Sequence, residues 1–216
     1  MNLKSFGCSF IFGSELADER NNLPSKLTWP AHLATRLGYD YQCYASSGAG
    51  NLQILEQVLN QSTTNSQDLF VIGWTWIDRF DYYPATPGIN LWRTIMPVDT
   101  DNLATVYYRD LHSEYRDKFT CLSYIKLTID TLRQKNISFI MTYMDELLFD
   151  QRWHTTPAVI DLQNYIKPYM TTFDGKSFLD WSRCNGYPET KAWHPLEEAH
   201  RAAGEYIINQ RLVHSA

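Results

Sequence analysis

Short apolar runs alternate with amphipathic stretches along much of the chain. Residues 68–73 and 137–143 are continuous apolar runs, typical of strands that are buried on both faces of a parallel sheet. Two shorter runs, residues 3–7 and 39–45, predict further strands. Helical periodicity, with stop signals such as Gly38, predicts the intervening helices. These predicted helices cover residues 29–38, 52–59, 118–134 and 195–212.

Repeated strand-helix alternation predicts an α/β fold: a three-layer α/β/α, flavodoxin-like sandwich with a parallel central sheet. We interpret residues 1–216 as a single domain, because no repeat or composition shift marks a boundary. Two long irregular stretches, at about residues 74–114 and 144–189, interrupt the alternation. Loops of this length are usually functional lids or contain small elements of their own. Both begin at carboxyl ends of strands, where open α/β sheets bind ligands.

Composition and charge narrow the class of function. Hydrophobic residues make up 44% of the chain, which predicts a folded core, and the net charge of −5 disfavours nucleic acid as a partner. We find no membrane span or signal peptide and therefore expect a cytoplasmic protein that does not bind membranes. The four cysteines are far apart in the sequence, so we expect buried thiols. No phosphate loop or metal-ligand spacing is evident, so we expect no cofactor and no metal.

Four short motifs follow predicted strands or precede the last helix. They are Gly-Cys-Ser at 7–9, Ser-Gly-Ala-Gly-Asn at 47–51, Gly-Trp-Thr at 73–75 and His-Pro at 194–195. Their order resembles the SGNH (GDSL-type) hydrolase family, whose blocks supply a serine nucleophile, oxyanion-hole glycine and asparagine, and a late histidine. The resemblance implies that Ser9 is the nucleophile and His194 its base. It also implies an oxyanion hole formed by Ser9, Gly48 and Thr75.

Each motif also has a structural interpretation, and two of them depart from the family pattern. Ser9 could simply cap a helix, and the segment around Gly48 could be a turn. Lys191 stands where the family has an aspartate that orients the histidine. Asp180, Glu189 or a backbone carbonyl could orient His194 instead, or the site could use a Ser-His dyad. Thr75 stands where the family has an asparagine.

Aromatic and basic residues after the third strand are candidates for substrate binding. Trp74, Trp76 and Arg79 should lie at the rim of the site, although the rings could instead pack the insertion onto the sheet. We interpret His200 as structural, because its spacing from His194 does not suit a helical metal pair.

The resemblance implies a serine-dependent ester hydrolase for a small acyl ester, such as a carbohydrate O-acetyl group. Its partner would be a small-molecule or carbohydrate ester. Two alternatives remain at this stage: a non-catalytic binding module on the same fold, and an acyltransferase that uses the same Ser-His pair.

Overall fold

A four-stranded parallel sheet lies at the centre of the fold, and a two-stranded antiparallel sheet lies beside it. The computed structural model describes residues 1–20, 23–62, 67–85 and 91–210. The strands are β1 (Asn2–Phe6), β2 (Asp40–Cys43), β3 (Leu69–Trp74), β4 (Phe80–Tyr82), β5 (Arg93–Ile95) and β6 (Ser138–Tyr143). The α-helices are α1 (Ser9–Phe12), α2 (Trp29–Leu37), α3 (Asn51–Gln61), α4 (Asn102–Val106), α5 (Glu114–Gln134), α6 (Pro157–Ile166), α7 (Phe178–Cys184) and α8 (Glu197–Gln210).

The strand order of the central sheet is β2-β1-β3-β6, and every neighbouring pair is parallel. Counted along the chain, the parallel strands therefore take the order 2-1-3-4, which is the beginning of the flavodoxin-like order. β1 and β3 are the two inner strands: in β1, for example, Leu3 pairs with Tyr41 on one side and with Leu69 on the other. The predicted α/β/α sandwich with a parallel central sheet is confirmed.

The two faces of the central sheet are covered by different layers of helices. Phe70 and Ile72 belong to a core cluster built with α3 and α5, whereas Val71 belongs to the opposite cluster, built with α1, α2 and α8. Alternate side chains of a strand point to opposite faces, so one continuous apolar run supplies both cores. All six residues of β3 are buried.

Most helix boundaries follow from capping chemistry. α2 has Pro30 in its first turn and ends at Gly38, whose φ is +69°, as its sequence predicts. α5 begins at Glu114, four residues before the predicted start at Lys118, because the Ser113 side chain accepts a hydrogen bond from the helix amide of Arg116. The predicted end of the last helix, at residue 212, lies outside the described residues.

The two predicted insertions contain short elements of their own. The first contains β4, β5, α4 and a π-helical turn at Tyr107–Leu111, and the second contains α6, α7 and two 3-10 turns. All four cysteines are free. Cys8 and Cys121 are buried as predicted, whereas Cys43 is only partly buried and Cys184 is exposed, so the prediction of buried thiols is wrong for Cys184. Across the described ranges, no helix combines the length and apolar character needed to span a membrane.

Candidate active site

Ser9 lies at the carboxyl end of β1, where the chain turns sharply into α1. Cys8 is the extended N-cap and Ser9 is the first residue of the helix. Gly7 makes this turn possible: a Cβ there would lie 2.5 Å from a side-chain carbon of Ile11 and 3.0 Å from the carbonyl oxygen of Gly73. The absence of a side chain at position 7 therefore lets β1 pass close to β3 and places Ser9 at the sheet edge.

His194 lies in a tight loop directly before α8. The loop is closed by Thr190, whose amide donates to the His194 carbonyl at 2.9 Å and whose hydroxyl accepts from the His194 amide at 3.2 Å. Nε2 of the imidazole lies 2.9 Å from Oγ of Ser9. Two residues separated by 185 positions are thus within hydrogen-bond distance, as the resemblance implies.

Glu15 binds the other imidazole nitrogen. Its Oε2 lies 2.6 Å from Nδ1 of His194, and the Thr190 hydroxyl donates to the same oxygen at 2.6 Å. The Thr190 hydrogen bond and then that of His194 lower the pKa of the Glu15 carboxyl. An ionised carboxylate can only accept hydrogen bonds, so we assign the Nδ1 proton to this contact. The lone pair of Nε2 then faces Ser9.

The carboxylates suggested from the sequence lie elsewhere. Asp180 accepts from the Ser177 hydroxyl at 2.8 Å in the first turn of α7, and Glu189 pairs with Arg183 at 2.9 Å. The prediction that either one orients His194 is therefore wrong. The carboxylate comes instead from the loop after α1, six residues beyond the serine. The only signal for Glu15 in the sequence was its short distance from Ser9 along the chain. The family pattern instead predicts a carboxylate just before His194, in the last motif.

The backbone amides of two predicted oxyanion donors, Ser9 and Gly48, are unpaired within the described ranges. Gly48 has φ of +80°, which L side chains rarely adopt, and open space lies where its Cβ would be. These two groups are therefore free to donate to a ligand oxygen.

Unlike the backbone amides of Ser9 and Gly48, the hydroxyl of Thr75 is buried in the protein interior. Its hydroxyl oxygen has less than 1 Å² of accessible surface and no described hydrogen-bond partner. Asn51, at the start of α3, accepts from the Thr75 amide at 2.9 Å and donates to the carbonyls of Thr75 and Trp76 at 3.2 and 3.1 Å. Asn51 thus clamps the two loops together. A ligand oxygen could reach the Thr75 hydroxyl only if this segment moves.

The predicted rim residues have different positions. Trp74 is completely buried in the core cluster on the α3 and α5 side, so its predicted position at the rim is wrong. Trp76 packs edge-on against Phe10 at 5.6 Å, and Phe10 packs edge-on against the His194 ring at 5.2 Å. The guanidinium of Arg79 lies 4.9 Å from the Trp76 ring. Trp76 and Arg79 therefore extend in a row from the imidazole, and their contact with substrate stays a prediction.

His200 has a structural role, in agreement with its sequence interpretation. Its Nδ1 accepts a hydrogen bond from the amide of Trp29 at 3.1 Å, and this contact ties α8 to the start of α2. Burial lowers the pKa of His200 to about 3, so the ring is neutral. Within the described ranges, no three His, Cys, Asp or Glu side chains are arranged to hold a metal ion.

Comparison with known proteins identifies the fold. No protein-family model matches the sequence, and a search of curated proteins gave no match. Among solved structures, a putative lipolytic protein of the G-D-S-L family from Desulfitobacterium hafniense DCB-2 is 11% identical, with a TM-score of 0.53 over 98% of each chain. TesA is 14% identical, with a TM-score of 0.55 over 98% of this chain and 99% of that chain.

An acetyl xylan esterase, Est2A, from the rumen bacterium Butyrivibrio proteoclasticus is also similar. It is 13% identical, with a TM-score of 0.52 over 97% of this chain and 64% of that chain. At identities this low, the structural similarity shows the fold alone, and each match extends over nearly all of the present chain. The resemblance seen in the four sequence motifs is thereby confirmed, and the chain has the SGNH (GDSL-type) fold of these lipolytic proteins and carbohydrate esterases.

Proposed function

We propose that this chain is a serine-dependent ester hydrolase that acts on a small acyl ester, with a carbohydrate O-acetyl group as the expected substrate. The observation that carries the proposal is the hydrogen-bonded row from Ser9 Oγ through the His194 ring to Glu15, with links of 2.9 and 2.6 Å. A serine hydroxyl is a weak nucleophile unless an oriented base removes its proton. The row supplies both the base and the group that orients it.

The proposed reaction begins when Ser9 Oγ attacks the carbonyl carbon of the ester. His194 Nε2 takes the hydroxyl proton, and Glu15 stabilises the imidazolium that results. The bond to the alcohol oxygen then breaks, and His194 returns the proton to that oxygen. A water molecule attacks the acyl-serine in the same way, which releases the acid and restores the Ser9 hydroxyl.

The free amides of Ser9 and Gly48 would hold the oxyanion of each tetrahedral intermediate. One such donor typically contributes about 3 kcal/mol to transition-state stabilisation. The clamp formed by Asn51 keeps the Gly48 loop in register with the end of β3. This arrangement supports catalysis with two backbone donors, and Thr75 would be a third donor only after a local movement.

The choice of acyl group rests on the comparison of folds. The similarity in fold to an acetyl xylan esterase favours an O-acetyl carbohydrate in particular.

The binding-module alternative was motivated by Lys191 and Thr75 at the family's aspartate and asparagine positions. Glu15 supplies a carboxylate despite Lys191, which removes the first of these reasons. The acyltransferase alternative uses the same residues and differs only in the final acceptor. Faster consumption of an acyl donor when a sugar is added would favour acyl transfer over hydrolysis.

Labelling with a fluorophosphonate, followed by mass spectrometry, tests the proposal directly. We expect one adduct on Ser9 of the wild-type protein and none on Ser9→Ala, together with a large loss of adduct in His194→Ala. Circular dichroism should show that both variants remain folded. An unlabelled wild-type protein, or a Ser9→Ala variant that hydrolyses acetyl esters at the wild-type rate, would refute the assignment.

A further inference from the structure

An open surface cavity of about 460 Å³ adjoins the candidate active site on the Glu15 side of His194. Its volume is in the range of cavities that bind small molecules. The lining side chains come from the loop around α1 and from the loop after β2: Phe12, Ser14, Glu15, Glu19, Ser46 and Ser47. None of the roles described above for catalysis uses this space.

The residues that line the cavity include one that binds the His194 base and one next to the proposed oxyanion donor Gly48. Glu15 forms part of its wall and also binds the imidazole of His194. Ser47 forms another part and directly precedes Gly48, which carries an oxyanion donor. The Ser14 hydroxyl donates to the Ser47 hydroxyl at 3.0 Å, which joins the two loops. A group bound in the cavity would therefore lie beside the Glu15 carboxylate and the loop that contains Gly48.

The chemistry of the lining selects for a particular kind of group. Three serine hydroxyls can donate or accept hydrogen bonds, whereas the two carboxylates can only accept them. None of the six lining residues is basic. A ligand rich in hydroxyl or ammonium donors complements this surface. A ligand that carries a carboxylate or phosphate would face these two like charges, and none of the lining residues supplies a cation to offset them.

We propose that this cavity is the subsite for the alcohol part of the ester, that it accepts a polyhydroxylated group without negative charge, and that Glu19 excludes anionic acceptors. The proposal rests on the proposed function, because it assigns the leaving-group side of that reaction. The exposed ring edge of a pyranoside can also pack against Phe12, the apolar member of the wall.

We assign this role to Glu19 because the Glu15 carboxylate already binds His194 and Thr190. One oxygen of Glu15 accepts from both His194 and Thr190. Glu19 is half-buried, and within the described ranges no side chain donates a hydrogen bond to it. Glu19 also lines the cavity, so its charge acts on a group bound there. A like charge about 5 Å away changes affinity by roughly tenfold at a partly solvated site.

The kinetic test compares two acetyl esters that differ only in charge: a mono-O-acetyl methyl glucoside and the matching methyl glucuronoside. We expect the wild-type protein to prefer the neutral ester by about tenfold in kcat/KM. Glu19→Gln should reduce this preference to about twofold, and Glu19→Lys should reverse it. Asp161→Asn, which removes an equal charge from the exposed surface of α6, is the control and should keep the wild-type ratio.

A binding test separates this proposal from the proposed function. Calorimetry on Ser9→Ala with the methyl glucoside, glucosaminide and glucuronoside measures the subsite without turnover. Weakest binding of the glucuronoside, relieved by adding Glu19→Gln, supports the subsite even if hydrolysis is never detected. Equal binding of all three sugars, or a wild-type charge preference that survives in Glu19→Lys, overturns the subsite even if Ser9 proves to be the nucleophile.

Discussion

Replacing Glu15 by alanine removes the carboxylate that binds Nδ1 of His194, and we expect this change to lower kcat/KM for acetyl esters by about 10- to 30-fold. Two effects of the carboxylate are lost together. It fixes the ring tautomer that leaves Nε2 free to accept the Ser9 proton, and it stabilises the imidazolium formed in the transition state. The Thr190 hydroxyl also loses its acceptor.

The magnitude follows from the geometry of this contact. A hydrogen bond to a charged group contributes about 1.5–3 kcal/mol. The Glu15 side chain is 46% exposed, and that of His194 is 16% exposed, so solvent screening places the contact in the lower part of this range. About 1.5–2 kcal/mol corresponds to the stated loss of rate. Glu15→Gln should lose less, about 3- to 10-fold, because its amide oxygen can still accept both hydrogen bonds.

Steady-state kinetics with 4-nitrophenyl acetate measure these losses, and thermal unfolding shows whether each variant is folded. Thr190 and then His194 lower the pKa of Glu15, so its carboxylate stays ionised between about pH 6 and 9, where the assays are run. Glu189→Gln and Asp180→Asn are the matched controls and should stay within about twofold of the wild type. If Glu15→Ala keeps half of the wild-type kcat/KM, or if Glu189→Gln loses as much, the structural assignment of the carboxylate is refuted.

Three further predictions concern stability. Asn51→Ala should lower the free energy of unfolding by about 2–4 kcal/mol in urea titrations, because it leaves the buried Thr75 amide unpaired; a loss under 1 kcal/mol would contradict the clamp. Burial lowers the pKa of His200 to about 3, so the unfolded chain binds this proton first and stability should fall as pH drops below about 6.5. His200→Gln, whose amide oxygen can still accept from Trp29, should flatten this decline by up to about 1.4 kcal/mol per pH unit, and an unchanged slope would argue against a neutral ring. Gly48→Ala should cost about 1 kcal/mol through its positive φ alone, measured by the unfolding midpoint, since its Cβ meets open space.

The sequence determined the architecture because the relevant signals are local. Continuous apolar runs such as residues 69–72 require a strand covered on both faces, and amphipathic helices between the strands supply the cover. Parallel pairing then follows from the crossover connections, which also bring every strand's carboxyl end to one edge. The positions of Ser9, Gly48 and His194 near that edge could be predicted from this rule together with the family resemblance.

The direction of the side chains at the carboxyl edge of the sheet could be determined only from the structure. Trp74 follows an apolar run and was expected at the rim, but β3 continues through this residue and the strand's alternation turns its ring into the core. Trp76, two residues further on, has left the strand and lies partly exposed beside Phe10. The strand extends one residue beyond its predicted end at Gly73, so the Trp74 side chain follows the alternation into the core.

The carboxylate partner of His194 was decided only by the tertiary structure. Glu15 and His194 are separated by 179 positions, and their contact joins two loops that are distant in the sequence. Glu15 adopts a left-handed conformation with φ of +67° after α1, and Thr190 closes the other loop around the histidine. No periodic pattern in either loop predicts the contact between Glu15 and His194. Hydrophobic pattern therefore determined which elements form and where the site lies, while the packing of two loops against each other decided which carboxylate reaches the imidazole.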